Sequence, residues 1–151
     1  MDKPTHLIEY ENMVLGRHRH MAAPRDRRDG GQLDRSAYIL LSRIRIEGPM
    51  SIGQLSDAFG LDASTLNRQT SAVLRAGLVE RVPDPDGGIA RKFRLTEKGE
   101  RCLEEARQES IRGLEKVLAD WTAEEVATFA AYLKRFNTDI ERLEGRPWPR
   151  P

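Results

Sequence analysis

Between Asp62 and Leu78 the chain reads DASTLNRQTSAVLRAGL. Its polar residues are unusual ones for a helix that needs only to be soluble. Where Glu and Lys would serve, it carries Ser64, Thr65, Asn67, Arg68, Gln69 and Ser71. Short hydroxyls, amides and a guanidinium share one talent, which is hydrogen bonding in fixed geometry. An arginine donates two bonds to a guanine edge, Asn or Gln pairs with adenine, and Ser or Thr bonds bases or phosphates. On a helical wheel Leu66, Thr70, Val73, Leu74 and Leu78 mark the inner side, with its centre near Thr70. Arg68, Ala72, Arg75 and Thr65 lie opposite, Ser64 and Ser71 beside them, and Asn67 and Gln69 on the flanks. Small residues at 64, 65, 71 and 72 let the backbone come close to a partner. The bland alternative is a solvated helix face, and the neighbouring elements decide between the two.

Other chemistry is poorly served. No nucleophile elbow, phosphate loop, HExxH helix or paired-carboxylate motif occurs, so catalysis is not expected and no cofactor is implied. His18 and His20 stand two apart and point different ways on a helix, with no ligand-spaced partner, so no metal is expected. The single cysteine, Cys102, rules out an internal disulfide framework and a Cys-based zinc finger. Its place one turn into a long helix favours a semi-buried structural thiol over a redox switch. Tyr38, His18, Met13 and Trp121 could border a ligand pocket, but aromatic and Met residues at helical spacing are more often core.

With 151 residues, 32% charged and 38% hydrophobic, the chain suits one domain with helical extensions. Such a chain buries about two-thirds of the surface it exposes when unfolded. A formal net charge of +1 offers no overall attraction to a polyanion, so that case rests on where the charges sit. No apolar run nears the roughly 18 residues of a membrane span. The opening MDKPTHLIEYE lacks a signal-peptide hydrophobic region. The cytoplasm is the expected compartment, with no membrane partner.

The elements that must position the polar helix follow from local signals. Leu7, Tyr10, Val14 and Met21 predict a helix over 6–21, ended by a loop at Pro24 and Gly30-Gly31. Leu33, Ala37, Leu40, Leu41 and Ile44 share a second helical face, broken by EGP at 47–49. Ser51 and Gln54 form a capping box for a short helix with Ile52, Leu55, Ala58 and Phe59 inward. Gly60 suits a left-handed helix end, and Asp62 can cap the helix that follows. After Gly77, LVERV and ARKFRL read as the strands of a hairpin about the turn PDPDGG. Phe93 marks the core side of the return strand, with Arg91 on its side and Lys92 and Arg94 on the other. Thr96 caps a long helix to about Asp120, and Thr122 with Glu125 starts the last helix. Its stripe runs through Val126, Phe129, Ala130, Leu133, Phe136, Ile140 and Leu143. The tail GRPWPRP cannot be helical and is expected to be loose.

Helix, short helix, tight turn, helix and hairpin make a winged helix-turn-helix, whose third helix enters a DNA groove. The fold class is mainly α with a small β-hairpin wing, plus N- and C-terminal dimerisation helices. The expected organisation is a winged helix-turn-helix region over 33–98, helical dimerisation regions at 6–21 and 99–145, and a loose tail over 146–151. Between 62 and 98, Arg68, Arg75, Arg81, Arg91, Lys92, Arg94 and Lys98 outnumber Asp62, Glu80, Asp84, Asp86 and Glu97. Acids prevail from 99 to 145. The candidate contacts to double-stranded DNA are therefore Ser64, Thr65, Asn67, Arg68, Gln69, Ser71 and Arg75 on the helix, with Arg91 and Lys92 at the wing. The long helix, about 37 Å at 1.5 Å per residue, has more stripe than one small domain can cover. A second copy would cover it and set two recognition helices about 34 Å apart.

DASTLNRQTSAVLRAGLVERVPDPDGG followed by RLTEKG resembles the multiple-antibiotic-resistance regulator (MarR) family of bacterial repressors. The resemblance covers residues 33–99. It implies a homodimer with interlocked N- and C-terminal helices on a pseudo-palindromic operator, released by a small, often aromatic, effector. The family's wing tip carries an arginine two residues after an aspartate, whereas Asp86 here precedes Gly87, Gly88, Ile89 and Ala90, and Arg91 comes first. Either Arg91 substitutes in a rearranged loop or the wing-tip arginine is missing. A rival reading from another class is a winged-helix module that contacts protein and not DNA, though such a module would more often expose apolar anchors.

Overall fold

The computed structural model describes residues 2–18, 33–84, 86–88 and 91–151. Its elements are α1 (Thr5–Arg17), α2 (Arg35–Glu47), α3 (Ile52–Phe59), α4 (Ala63–Arg75), β1 (Val79–Val82), β2 (Lys92–Leu95), α5 (Glu97–Val117) and α6 (Ala123–Glu144). Helices therefore dominate, with one antiparallel hairpin in the register Val79↔Leu95 to Val82↔Lys92. The expected continuation of α1 to Met21, its His20 and the loop glycines lie outside the described residues. Among the described residues no helix is long and apolar enough to cross a membrane.

Local chemistry explains most boundaries. The Asp34 carboxylate accepts from the Ala37 amide at 2.8 Å and starts α2. Both expected capping boxes form, Ser51 with Gln54 and Thr122 with Glu125, each satisfying two amides that a helix start leaves bare. Gly60 closes α3 with φ +63°, where a side chain would crowd its own backbone. Asp62 differs from expectation. It occupies the capping position of α4, but its side chain accepts no hydrogen bond there.

The core lies between α2, α3, α4, the hairpin and the first half of α5. Leu40, Leu41, Leu55, Leu66 and Leu103 are sealed from water; burying a leucine contributes about 1.5–3 kcal/mol. Cys102 is half-buried against this core. The break between α2 and α3 also contributes, because Met50 exchanges backbone bonds with Phe93 at 2.8 and 3.2 Å.

The start of α5 is locked to the end of the polar helix. Thr96 accepts from the Gly99 amide at 3.0 Å while its hydroxyl donates to the Gly77 carbonyl at 2.6 Å. Lys98 donates to the Ala76 carbonyl at 2.8 Å. At Gly99 a Cβ would lie 2.0 Å from the Leu78 carbonyl oxygen, so the helix can approach this closely only without a side chain. Further along, Arg45 of α2 donates to Glu104 of α5 at 3.0 Å.

Outside this head the pattern inverts. α1 and α6 contribute no buried residue. Leu7, Tyr10 and Met13 on α1 and Phe129, Leu133, Phe136 and Leu143 on α6 are all exposed. α5 ends at Val117, short of Asp120, and its stripe is buried at Leu103 and Ala106 but exposed at Leu114 and Val117.

The tail departs from expectation. Residues 146–151 are not helical, yet they are docked. Trp148 stacks on Phe59 with ring centroids 5.6 Å apart, and Arg150 pairs with Glu141 of α6 at 2.6 Å. A proline-rich segment cannot build its own ladder of hydrogen bonds, but it can still pack where a seat exists.

Candidate nucleic-acid interface

The helix carrying the polar stretch, α4, docks through the residues its periodicity assigned inward. Leu66 is fully buried and Val73 is 3% exposed. Thr70, mid-helix and 2% exposed, donates its hydroxyl to the Leu66 carbonyl at 2.7 Å and the Asn67 carbonyl at 3.2 Å. A buried hydroxyl left unpaired would be costly; backbone acceptors one turn back remove that cost.

The opposite flank brings most of the expected residues together. Ser64, Asn67, Arg68, Ser71 and Arg75 are exposed, with Thr65 half-buried at the margin. Ser64, Arg68, Ser71 and Arg75 follow one another at spacings of four, three and four, which makes a single line along the helix. Among the described residues Arg68 hydrogen-bonds to Thr65 alone, by a long bond of 3.4 Å. Neither Arg68 nor Arg75 has an ion pair among the described residues. Both cations stand ready for an anionic or hydrogen-bonding partner.

Two expected residues stand apart. Gln69 is half-buried and lines the cleft between α3 and the tail. Lys92 is only 9% exposed, and its ammonium pairs with Asp84 at 3.4 Å. Strand alternation gave Lys92 a wet face, but its side chain lies along an open pocket of about 490 Å³ that Met50 and the returning tail also line. Arg91 precedes β2 and is exposed, so it does not share the burial of Phe93, which is 5% exposed.

The wing has its own organiser. Asp84 accepts from the Asp86 amide at 2.9 Å, and its carbonyl accepts from Gly87 at 3.0 Å. That amide bond chiefly, and Lys92 as well, hold the Asp84 carboxyl below its ordinary range against the opposing effect of burial. Gly87 has φ +85°, while residues 89 and 90 of the tip lie outside the described residues. On the strands Arg94 donates to Glu80 at 3.1 Å, and Arg81 lies over the Phe93 ring at 5.9 Å. The hairpin thus spends much of its charge internally, and Arg91 is its exposed cation nearest the tip.

The Asp84–Lys92 pair and the tail's contacts with α3 escaped the sequence reading, since neither leaves a periodic signal.

The model of the MarR family matches residues 32–88 of this chain. Over 134 residues the chain is 34% identical to the "Uncharacterized HTH-type transcriptional regulator YxaD" of Bacillus subtilis strain 168, spanning 89% of this chain and 93% of that relative. A MarR family protein from Bacillus stearothermophilus superposes with a TM-score of 0.71 at 24% identity, covering 93% of this chain and 99% of that one. A mutant MarR from E. coli complexed with operator DNA superposes with a TM-score of 0.61 at 19% identity, covering 90% and 99%. Both solved structures share the winged-helix fold found here.

Proposed function

This chain belongs to the MarR family of transcriptional regulators, and on that premise we propose that it is a homodimeric repressor of a pseudo-palindromic operator, released by a small aromatic molecule. The observation that carries the DNA reading is the line Ser64, Arg68, Ser71 and Arg75 on α4, exposed and with its arginines unpaired among the described residues. Short side chains bring the helix axis close to a groove floor, where Arg68 can reach a guanine edge and its neighbours bond phosphates or adjoining bases. Thr65 and Asn67 flank that line. Arg91 serves as a phosphate or minor-groove contact from the wing. Lys92 is spent on Asp84, and Gln69 lines the cleft beside the tail instead of the exposed line.

The dimer reading is supported by the bare faces of α1 and α6 and the outer half of α5. Leucines and phenylalanines left about half exposed in one chain gain further burial against a second copy. In this reading the head spans 33–98 and the helices at 6–21 and 99–145 form the dimer region, acting in the cytoplasm where the chromosome is reached. Effector release is carried over from the resemblance to the family; thermal-shift screening with phenolic compounds tests it.

Selection of bound DNA from a random pool, followed by footprinting with variants, tests the whole. Arg68→Ala should weaken operator binding by about 1–3 kcal/mol and relax preference at one base position, whereas Arg91→Ala should weaken all sequences alike. An unchanged footprint and affinity for Arg68→Ala would sink the assignment of α4 as the reading helix.

A further inference from the structure

The tail after α6 turns back and fastens to the reading head. Gly145 ends α6 in the left-handed region with φ +72°, and Arg146 donates its amide to the Glu141 carbonyl at 3.1 Å. The Arg146 guanidinium then lies beside Gly60, where a Cβ would come within 2.7 Å of it. Gly60 is the turn of the helix-turn-helix. Trp148 follows, half-buried, with Phe59 of α3 stacked on it at 5.6 Å and an interplanar angle of 19°. The Arg43 guanidinium of α2 lies over the same indole at 4.8 Å. Arg43 is itself 7% exposed, and its Nη1 has no hydrogen-bond partner among the described residues. The indole face is thus the favourable surface that this buried nitrogen-bearing group meets.

A second set of contacts holds the tail to α6. Trp148 donates its amide to Glu141 Oε1 at 2.6 Å, and Arg150 grips both oxygens of that carboxylate at 2.9 and 2.6 Å. Arg150 also donates to the Trp148 carbonyl at 2.9 Å. Pro147 and Pro149 bracket the tryptophan. Each ring fixes its own φ and biases the residue before it to extended backbone, so little freedom is lost when the segment docks. One short segment therefore touches α2, α3, the turn after α3, and α6.

We propose that residues 145–150 are a strap that fixes the angle between α6 and the helix-turn-helix, with Trp148 as the positioning residue for operator half-site spacing. The proposal rests on the homodimeric DNA-binding reading, in which α6 belongs to the dimer region and α4 reads the groove. In a two-fold dimer the separation of the recognition helices depends on how each head is held against its dimer helices. α5 is locked to the head at its start, and α6 follows it through the short turn over 118–122. The strap ties the other end of α6 to α3 and Gly60, and so fixes the direction of α6 against the head.

The test uses the full chain. In a Trp121→Phe background, Trp148 is the one remaining tryptophan, and its emission should be blue-shifted from that of indole in water. Arg150→Ala, which touches only the tail and Glu141, should move that emission to the red. An operator is selected from a random DNA pool with the wild-type chain, and its half-sites are then moved closer or further by one or two base pairs. Wild type should discriminate severalfold against the altered spacings. Trp148→Ala and Arg150→Ala should lose most of that discrimination while keeping affinity for an isolated half-site, and Trp148→Phe should restore it. A wild type that selects no sequence overturns the DNA reading, and the spacing role with it. A wild type that selects an operator, with Trp148→Ala and Arg150→Ala discriminating as it does, overturns the strap alone. Water-like emission from Trp148 in the Trp121→Phe chain overturns the docking itself.

Discussion

Replacing Gly99 by alanine should destabilise the protein, although alanine is the better helix former. A Cβ there would meet the Leu78 carbonyl oxygen at 2.0 Å, whereas ordinary contact begins at 3.4 Å. The two segments must separate by about 1.4 Å to relieve the clash. Three bonds cross that junction: Thr96 amide to Leu78 carbonyl at 3.0 Å, Thr96 hydroxyl to Gly77 carbonyl at 2.6 Å, and Lys98 to Ala76 carbonyl at 2.8 Å. Such a movement breaks at least the first. Overpacking costs about 1–3 kcal/mol, and each lost hydrogen bond about 0.5–1.5 kcal/mol. Better helix propensity returns at most about 1 kcal/mol. These terms leave a net loss of about 0.5–3.5 kcal/mol, which for a chain of this size lowers Tm by roughly 1–14 °C. Gly53 in α3 is the control, because its nearest neighbour to an added Cβ is the Ser51 hydroxyl at 3.9 Å. Gly53→Ala should stabilise by about 0.4–1 kcal/mol. Thermal unfolding by circular dichroism, at matched protein concentration, reads both. If Gly99→Ala melts at the wild-type temperature or above it, the close approach of α5 to Leu78 is refuted.

Two further outcomes follow from the surface and the tail. Phe136→Asp on the bare face of α6 should leave the head folded but weaken self-association. Phe136 is 49% exposed, so two phenylalanines withdrawn per dimer remove about 1.5–3 kcal/mol, one to two decades in Kd; light scattering at low micromolar concentration should find more monomer than wild type, and an unshifted dimer would contradict the interface. Glu141 supplies a pH test: the Arg150 hydrogen bond first, and the Trp148 amide second, lower its carboxyl from an ordinary 4.5 to about 2. A depressed carboxyl stabilises the docked tail above its ordinary value and loses that contribution as pH falls towards the depressed one. Trp148 emission, read in the Trp121→Phe chain, should be flat from pH 8 to 5 and change only between about 4.5 and 2. A change above pH 5 would count against the Glu141–Arg150 lock.

How far the sequence could be read depended on the range of the interaction concerned. The Ser51–Gln54 and Thr122–Glu125 boxes and the Gly60 turn are set by residues three or four apart, so their signals lie side by side in the chain. The inner face of α4 was equally legible, since Leu66, Thr70 and Val73 repeat with the helix. Asp62 shows the limit even locally, because a capping residue in the right place can still leave its carboxylate unused. Lys92 was misplaced for a different reason. Alternation tells which residues share a face, but not whether a residue on the second face finds a partner there, as Lys92 does in Asp84. Trp148 is the extreme case. Its prolines correctly announced a non-helical tail, yet its seat is made by Phe59 and Arg43, far away in the chain.

The wing's carboxylate has a consequence for how such a protein can change by descent. Asp84 holds the turn through the Asp86 amide and neutralises the buried ammonium of Lys92. A lineage that loses the carboxylate inherits both an unlatched turn and an unpaired buried charge, and repair at either place alone leaves the other fault. An uncharged residue at 92 cures the charge, and a new acceptor near 84 cures the turn. A change at 84 is therefore felt at two places in the hairpin at once, the turn and the Lys92 pair.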